Sequence, residues 1–234
     1  MPSRSSILRI RLACVLVLLA VAQFVVVQGI AIARYPGGHE WDKNAPGHSF
    51  WRNTLSDLGR TVTIAGQINP MSIPSRVSTV LLLLSTGVVW MILPRLFPQR
   101  PRLGWLVRGL GLLSLGGMVA LGFTPADQFP FAHAAANGTA SVPGLTAYLF
   151  ACWGMFRSRT CPYLLIVVSL IFLLLAIIHF GQYVAHFWLG YAWTPQAPAV
   201  QRLAFLAGLA WMVLVSVGIF RRAGRPFSSD KSLQ

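Results

Sequence analysis

Phe123-Thr-Pro-Ala-Asp-Gln-Phe-Pro-Phe-Ala-His133 lies between a Gly-rich apolar run, residues 104–123, and a second apolar segment. A helix of about 20 apolar residues crosses a hydrocarbon core of about 30 Å. The stretch is therefore read as a turn at the edge of a membrane, joining two crossings. It places a carboxylate, Asp127, and an imidazole, His133, six residues apart at that edge. The chain has five acidic residues and five histidines in 234 positions, so two of those ten within this short stretch are a concentration of scarce chemistry.

Working outward, 55% of the residues are hydrophobic and 10% charged, with a mean hydropathy of +0.64. Ordinary soluble domains are about 25% charged. Lipid offers backbone N–H and C=O groups no partners, so the apolar runs must be helices. The expected fold class is all-α: one domain, residues 1–222, of six transmembrane helices at about 12–33, 77–97, 104–123, 138–156, 163–188 and 203–220. A disordered cytoplasmic tail follows at 223–234. The basic start and the first apolar run resemble a signal peptide, but the run is about twice the usual length and more spans follow, so an uncleaved anchor is expected.

The net charge of +14 raises nucleic acid as a partner, but the basic residues sit in short loops between apolar runs, where they act as topology signals. An N-in, C-in arrangement puts 13 of the 19 Lys and Arg on the cytoplasmic side, as the positive-inside rule favours. The protein is expected to be multi-pass in the plasma (cytoplasmic) membrane, with membrane lipids and no nucleic acid as partners. Cys14, Cys152 and Cys161 fall in spans or at their cytoplasmic ends, so no structural disulfide is expected.

Residues 34–76 form the one long polar segment, rich in Gly, Pro, Asn and His. Within it, Ser49-Phe-Trp-Arg-Asn-Thr-Leu-Ser-Asp-Leu-Gly59 reads as a short interfacial helix, capped by Ser49 and ended by Gly59. Trp51, Leu55 and Leu58 would share one stripe, and Asn53 and Asp57 would be i, i+4 neighbours on another.

In this topology Glu40, Asp42, Asp57, Asp127 and all five histidines fall outside or in the outer half of a helix. Asp127 with His133 can be a metal-ligand pair, or a base with its orienter; the alternative is a helix-end carboxylate and a solvated loop histidine. Asp57 can serve as base, ligand or hydrogen-bond acceptor, or be a surface residue. Arg202, at the outer start of the last span, breaks the charge trend and calls for a partner: Asp57, Asp127, or an anionic headgroup or phosphate. His179, Gln182 and His186 share a helical face, with His179 a candidate ligand or packing residue and His186 at the rim. His39, Glu40 and Asp42 read as loop residues. No G-x-S-x-G, H-E-x-x-H, P-loop or haem motif occurs. Ser56, His133 and Asp127 supply the residue types of a Ser–His–Asp triad, but nothing in their spacing selects it.

The order Asn53-Thr-Leu-Ser-Asp-Leu-Gly59, then Gly122-Phe-Thr-Pro-Ala-Asp127 with His133, then Gln201-Arg-Leu203 leading to Trp211, resembles the DUF998 family of uncharacterised polytopic membrane proteins. The likeness covers about residues 12–222. It implies a six-helix membrane protein without assigned activity, and marks Asn53, Ser56, Asp57, Gly59, Asp127, His133, Arg202 and Trp211 as matching positions. A looser likeness links the chain to membrane hydrolases of the alkaline ceramidase type, which use Ser, Asp and several His around zinc. This chain has six expected spans, not seven, and lacks their paired H-x-x-x-H.

Three functions follow as expectations. The first is binding of a lipid or other amphiphile in an outer-face crevice, with Arg202 reading an anionic group, Asp57, Asp127 and His133 completing the site, and Asn53, Ser56, Trp211 and His179 as further binding residues. The second is a lipid hydrolase, metal-dependent or acid/base, using Asp57, Asp127 and His133, with zinc on Asp127, His133 and His179. The third is a small-solute transporter, for which charges deep in several spans and an internal repeat would be expected.

Overall fold

The computed structural model describes residues 3–158 and 161–223. The expected tail lies outside them except for Ala223. Six long helices carry the architecture: α1 Arg4–Arg34, α2 Ser72–Ile92, α3 Pro101–Phe123, α4 Pro130–Phe156, α5 Tyr163–Phe187 and α6 Ala197–Arg222. Each packs on the next, and α6 closes back on α1 and α2. Five of the six are long and apolar enough to cross a membrane. The other, α4, is 27 residues long, and its Gly, Ala, Ser and Thr content dilutes its apolarity.

Proline sets where the helices begin. Pro101 and Pro130 occupy first-turn positions of α3 and α4, Pro198 does so in α6, and Pro162 caps α5. The missing N–H of proline costs nothing in a first turn, and its fixed φ suits entry into a helix. This is why α4 starts at Pro130, earlier than the expected 138. Ala132, Ala134, Ala135 and Ala136 then carry the helix forward. His133 is thereby moved from a loop into the first turn, where its N–H donates to the Phe129 carbonyl (2.8 Å).

Helices α3 and α4 meet almost backbone to backbone. A Cβ added at Gly117 would lie 2.4 Å from the Ala140 backbone nitrogen, and Ser114 Oγ donates to the Ala140 carbonyl (2.5 Å). Small residues permit this close approach. Of the other glycines in α3, Gly122 packs against Val80 of α2, whereas Gly109 and Gly116 meet nothing within 4 Å.

The two ends of the bundle differ. At one end, Arg11 donates to the Ala223 carbonyl and Arg100 stacks on Trp153, among Arg95, Arg157 and Arg221. The other end carries the 35–71 loop. There β1 Gly37–His39 pairs antiparallel with β2 Asp42–Pro46, a hairpin the sequence reading does not contain. Gly38, at φ +86°, needs glycine: an added Cβ would strike the Ala65 nitrogen at 2.5 Å.

The expected helix over 49–59 does not form. Turns lead into a single 3-10 turn, Ser56–Gly59. Polar side chains outcompete the helical ladder. Asn53 Oδ1 accepts from the Ser49 N–H (2.9 Å), and Asp57 Oδ2 accepts from the Thr54 N–H (2.8 Å). Trp51 is exposed while Leu58 is fully buried, so the expected apolar stripe is absent.

Candidate functional site

The 48–72 segment forms a cap over the loop end of the bundle, held there by Asp57, Asp127, Arg202 and the amide side chains of Asn53, Asn69 and Gln201. Asn53, fully buried, donates to the Gly38 carbonyl (2.8 Å) and to Asp57 Oδ2 (3.2 Å). The expected i, i+4 neighbours thus meet without the helix. Asn69 donates to the Leu58 and Arg60 carbonyls (3.0 and 2.9 Å). Asp127 Oδ2 accepts from the Thr61 N–H and the Val62 N–H (3.0 Å each) and from the Thr61 hydroxyl, clamping the cap to the α3–α4 turn.

The α6 side is fixed as firmly. Gln201 Oε1 accepts from the Leu55 N–H (2.7 Å). Buried Arg202 donates from Nη2 to His48 Nε2 (3.0 Å) and to the Asn53 and Thr54 carbonyls (3.4 Å each), and its guanidinium lies 5.1 Å from the centre of the Phe50 ring. The hydrogen-bond partners of Arg202 are therefore loop groups, neither Asp57 nor Asp127.

These surroundings set the charge states. Burial pushes the Asp57 carboxyl up, against the bonds from Thr54 and Asn53 and the charge of Arg60. Burial also raises Asp127, but its bonds from Thr61 and Val62 outweigh it and leave the carboxyl below its ordinary value. Burial and the Arg202 charge lower His48 to about 3, so it is a neutral acceptor for that guanidinium.

Beneath the cap lies a partly open cavity of about 360 Å³. Its far end is aromatic: Trp90, Tyr148, Phe172 and Trp211 line it and pack on one another, with Tyr148 and Trp211 centred 4.8 Å apart. Its near end, under the cap, is lined by Ser56, Arg76, His133, Asn137, His179 and Gln201. On α2 the lining runs from Arg76 to Trp90, roughly 20 Å at 1.5 Å per residue. That volume over that length leaves the width of one chain.

The near end holds a defined pair. His133 Nδ1 lies 2.7 Å from the Thr124 carbonyl, which can only accept, so Nδ1 carries the proton. Nε2 is then a bare acceptor, 3.2 Å from Ser56 Oγ, which donates to it. Arg76 lines the same end of the cavity and packs on the turn that carries Ser56: a methyl added at Gly59 would come within 3.1 Å of its Cγ. The buried Nε of Arg76 has no hydrogen-bond partner among the described residues, nor does the Nδ1 of His179.

Of the residues singled out in the sequence, the structure brings Ser56, His133, His179 and Trp211 to the cavity, with Trp211 at its far end. Asn53, Asp57, Asp127 and Arg202 hold the cap instead. His39 caps its own hairpin turn, and His186 bonds the Tyr191 carbonyl (2.9 Å). Among the described residues no three His, Cys, Asp or Glu side chains form a group that could hold a metal ion, and Asp127, His133 and His179 do not converge as the zinc reading requires. Arg76 is the residue that sequence reasoning missed. Its signal was a cation at the membrane edge of a span on the less basic side, the same anomaly that marked Arg202.

Five long apolar helices around such a cavity make this a multi-pass membrane protein. Comparison of the chain with protein-family models, curated proteins and solved structures finds no match, so the likeness to DUF998 rests on the quoted residues alone.

Proposed function

We propose that the protein binds a single-chain amphiphile bearing an anionic group, within a plasma membrane that it crosses six times with both termini cytoplasmic. The observation that carries this reading is the cavity, apolar at its far end and polar under the cap. Its 360 Å³ lies in the range of ligand sites, and is more than twice the roughly 150 Å³ that holds one benzene. By proportion it has room for about fourteen carbons, one acyl chain and not two. The tail lies along α2 toward Trp90 and Trp211, and the head stops under the cap. Arg76 takes the role that the sequence offered to Arg202: its side chain lines the polar end of the cavity, and guanidinium pairs well with carboxylate or phosphate. Counting α4 as a crossing rests on its 27-residue length, enough for the hydrocarbon core.

The test is a titration of purified protein with a long-chain fatty acid and with the alcohol of the same length. Arg76→Ala weakens the acid about tenfold or more, the value of a charged hydrogen bond, and leaves the alcohol unchanged. Equal binding of acid and alcohol by the unaltered protein would remove the anionic group from the proposal.

A further inference from the structure

The geometry points to an activity at that same site: Ser56 is a nucleophile and His133 its general base, together cleaving the ester of a single-chain acyl amphiphile held in the cavity. The inference rests on the binding reading above and adds chemistry to it. Three observations carry it. The Thr124 carbonyl fixes the His133 tautomer, so the unprotonated Nε2 faces Ser56 Oγ at 3.2 Å. This is the arrangement that activates a serine, with a backbone carbonyl as the orienter of the histidine. Both side chains line the cavity at its polar end, where the carbonyl of a bound acyl chain would stop. Arg76 lines the same polar end and supplies a cation there for an anionic group or a developing oxyanion.

Asp127, the natural third member from the sequence, is not part of this arrangement. Its Oδ2 is occupied by Thr61 and Val62. The 3-10 turn at Ser56–Gly59 presents the serine from the cap, while the first turn of α4 presents the histidine, so the two reach each other only when the cap is seated.

The reaction balances with water as co-reactant. Ser56 Oγ bonds to the ester carbonyl carbon as its proton passes to His133 Nε2. The tetrahedral adduct collapses, the bond from carbon to the alkoxy oxygen breaks, and the leaving alcohol takes the proton from His133. Water then gives a proton to His133 and its oxygen to the acyl-Ser56 ester. The carboxylic acid departs and Ser56 Oγ recovers its proton. No electrons are transferred.

The experiment treats the full-length protein in lipid nanodiscs with an alkyl fluorophosphonate, maps any adduct by mass spectrometry, and follows hydrolysis of p-nitrophenyl dodecanoate. A parallel sample receives a fatty acid with a photoreactive diazirine near its tail. The expected result is one phosphonate on Ser56, absent in Ser56→Ala and formed about 100-fold more slowly in His133→Ala. Ester hydrolysis falls in the same two variants and persists in Ser56→Cys, which keeps a nucleophile. An unmodified Ser56 beside diazirine labelling of Trp90 or Trp211 would overturn the catalytic inference and leave the binding reading standing. Ser56 reacting equally fast in His133→Ala would overturn the role of the base. A protein that takes neither probe would overturn both readings.

Discussion

Asp127 Oδ2 receives three donors from Thr61 and Val62, so Asp127→Ala leaves those donors without a partner in a half-buried turn. Loss of such bonds costs about 1–3 kcal/mol. The expected outcome is faster amide exchange at Thr61 and Val62 and easier proteolysis of the cap, with the helices unchanged. Had Asp127 been a catalytic base, the cap would keep its protection. His48 gives a pH test. Its value is depressed from the ordinary 6.5 to about 3, so the folded cap favours neutral imidazole. The stability it contributes is complete above pH 6.5 and is lost as pH falls toward about 3, at up to about 1.4 kcal/mol per pH unit. Asp127, also depressed, acts in the same direction at lower pH, while Asp57, raised, acts in the opposite one. The His48 contribution should therefore lower amide protection factors in residues 48–61, corrected for the intrinsic pH dependence of exchange, as pH falls below 6.5, and His48→Gln should remove that contribution. At this scale the sequence showed which residues were scarce and which end of the bundle they share. It did not show which carboxylates bond to backbone, because Asp127 meets Thr61 across 66 positions of chain.

Helices α3 and α4 are in contact where glycine removes every obstacle. Gly117→Val would push a side chain into the Ala140 backbone, 2.4 Å from its first carbon. Overpacking of this kind costs about 1–3 kcal/mol. A lower melting temperature is expected for Gly117→Val, and none for Gly116→Val, whose added carbon meets nothing within 4 Å. Equal losses at both positions would mean that the two helices are not so packed. The existence of these helices was readable from apolar run length, since lipid leaves no alternative to helix. The start of α4 was not: His133 and Asn137 look like loop composition, yet both lie in the helix and line the cavity. The 49–59 segment failed in the reverse sense. Its caps and stripe suit a helix, but Asn53, Thr54 and Asp57 take up the backbone and side-chain bonds that a helix would have needed free.

Across the whole molecule, the bundle is an apolar cylinder with arginines at one end and a polar cap at the other. Leu84, Leu113, Leu170 and Leu174 point outward with about half or more of their surface exposed, as lipid-facing side chains do. Helix α5 buries only Leu165, Ser169 and Tyr183 and turns the rest of its apolar surface outward or to the cavity. The segregation of acids and histidines to the cap end was visible in sequence. The cavity was not, because a void is set by how six helices lean on one another and leaves no periodic mark in any one of them. The most direct test of the account is photo-crosslinking of the nanodisc-embedded protein with the tail-diazirine fatty acid, followed by peptide mapping. The account predicts label on Trp90, Tyr148, Phe172 or Trp211, competed away by unlabelled acid. Label confined to Leu84, Leu113, Leu170 and Leu174, and insensitive to competitor, would contradict it.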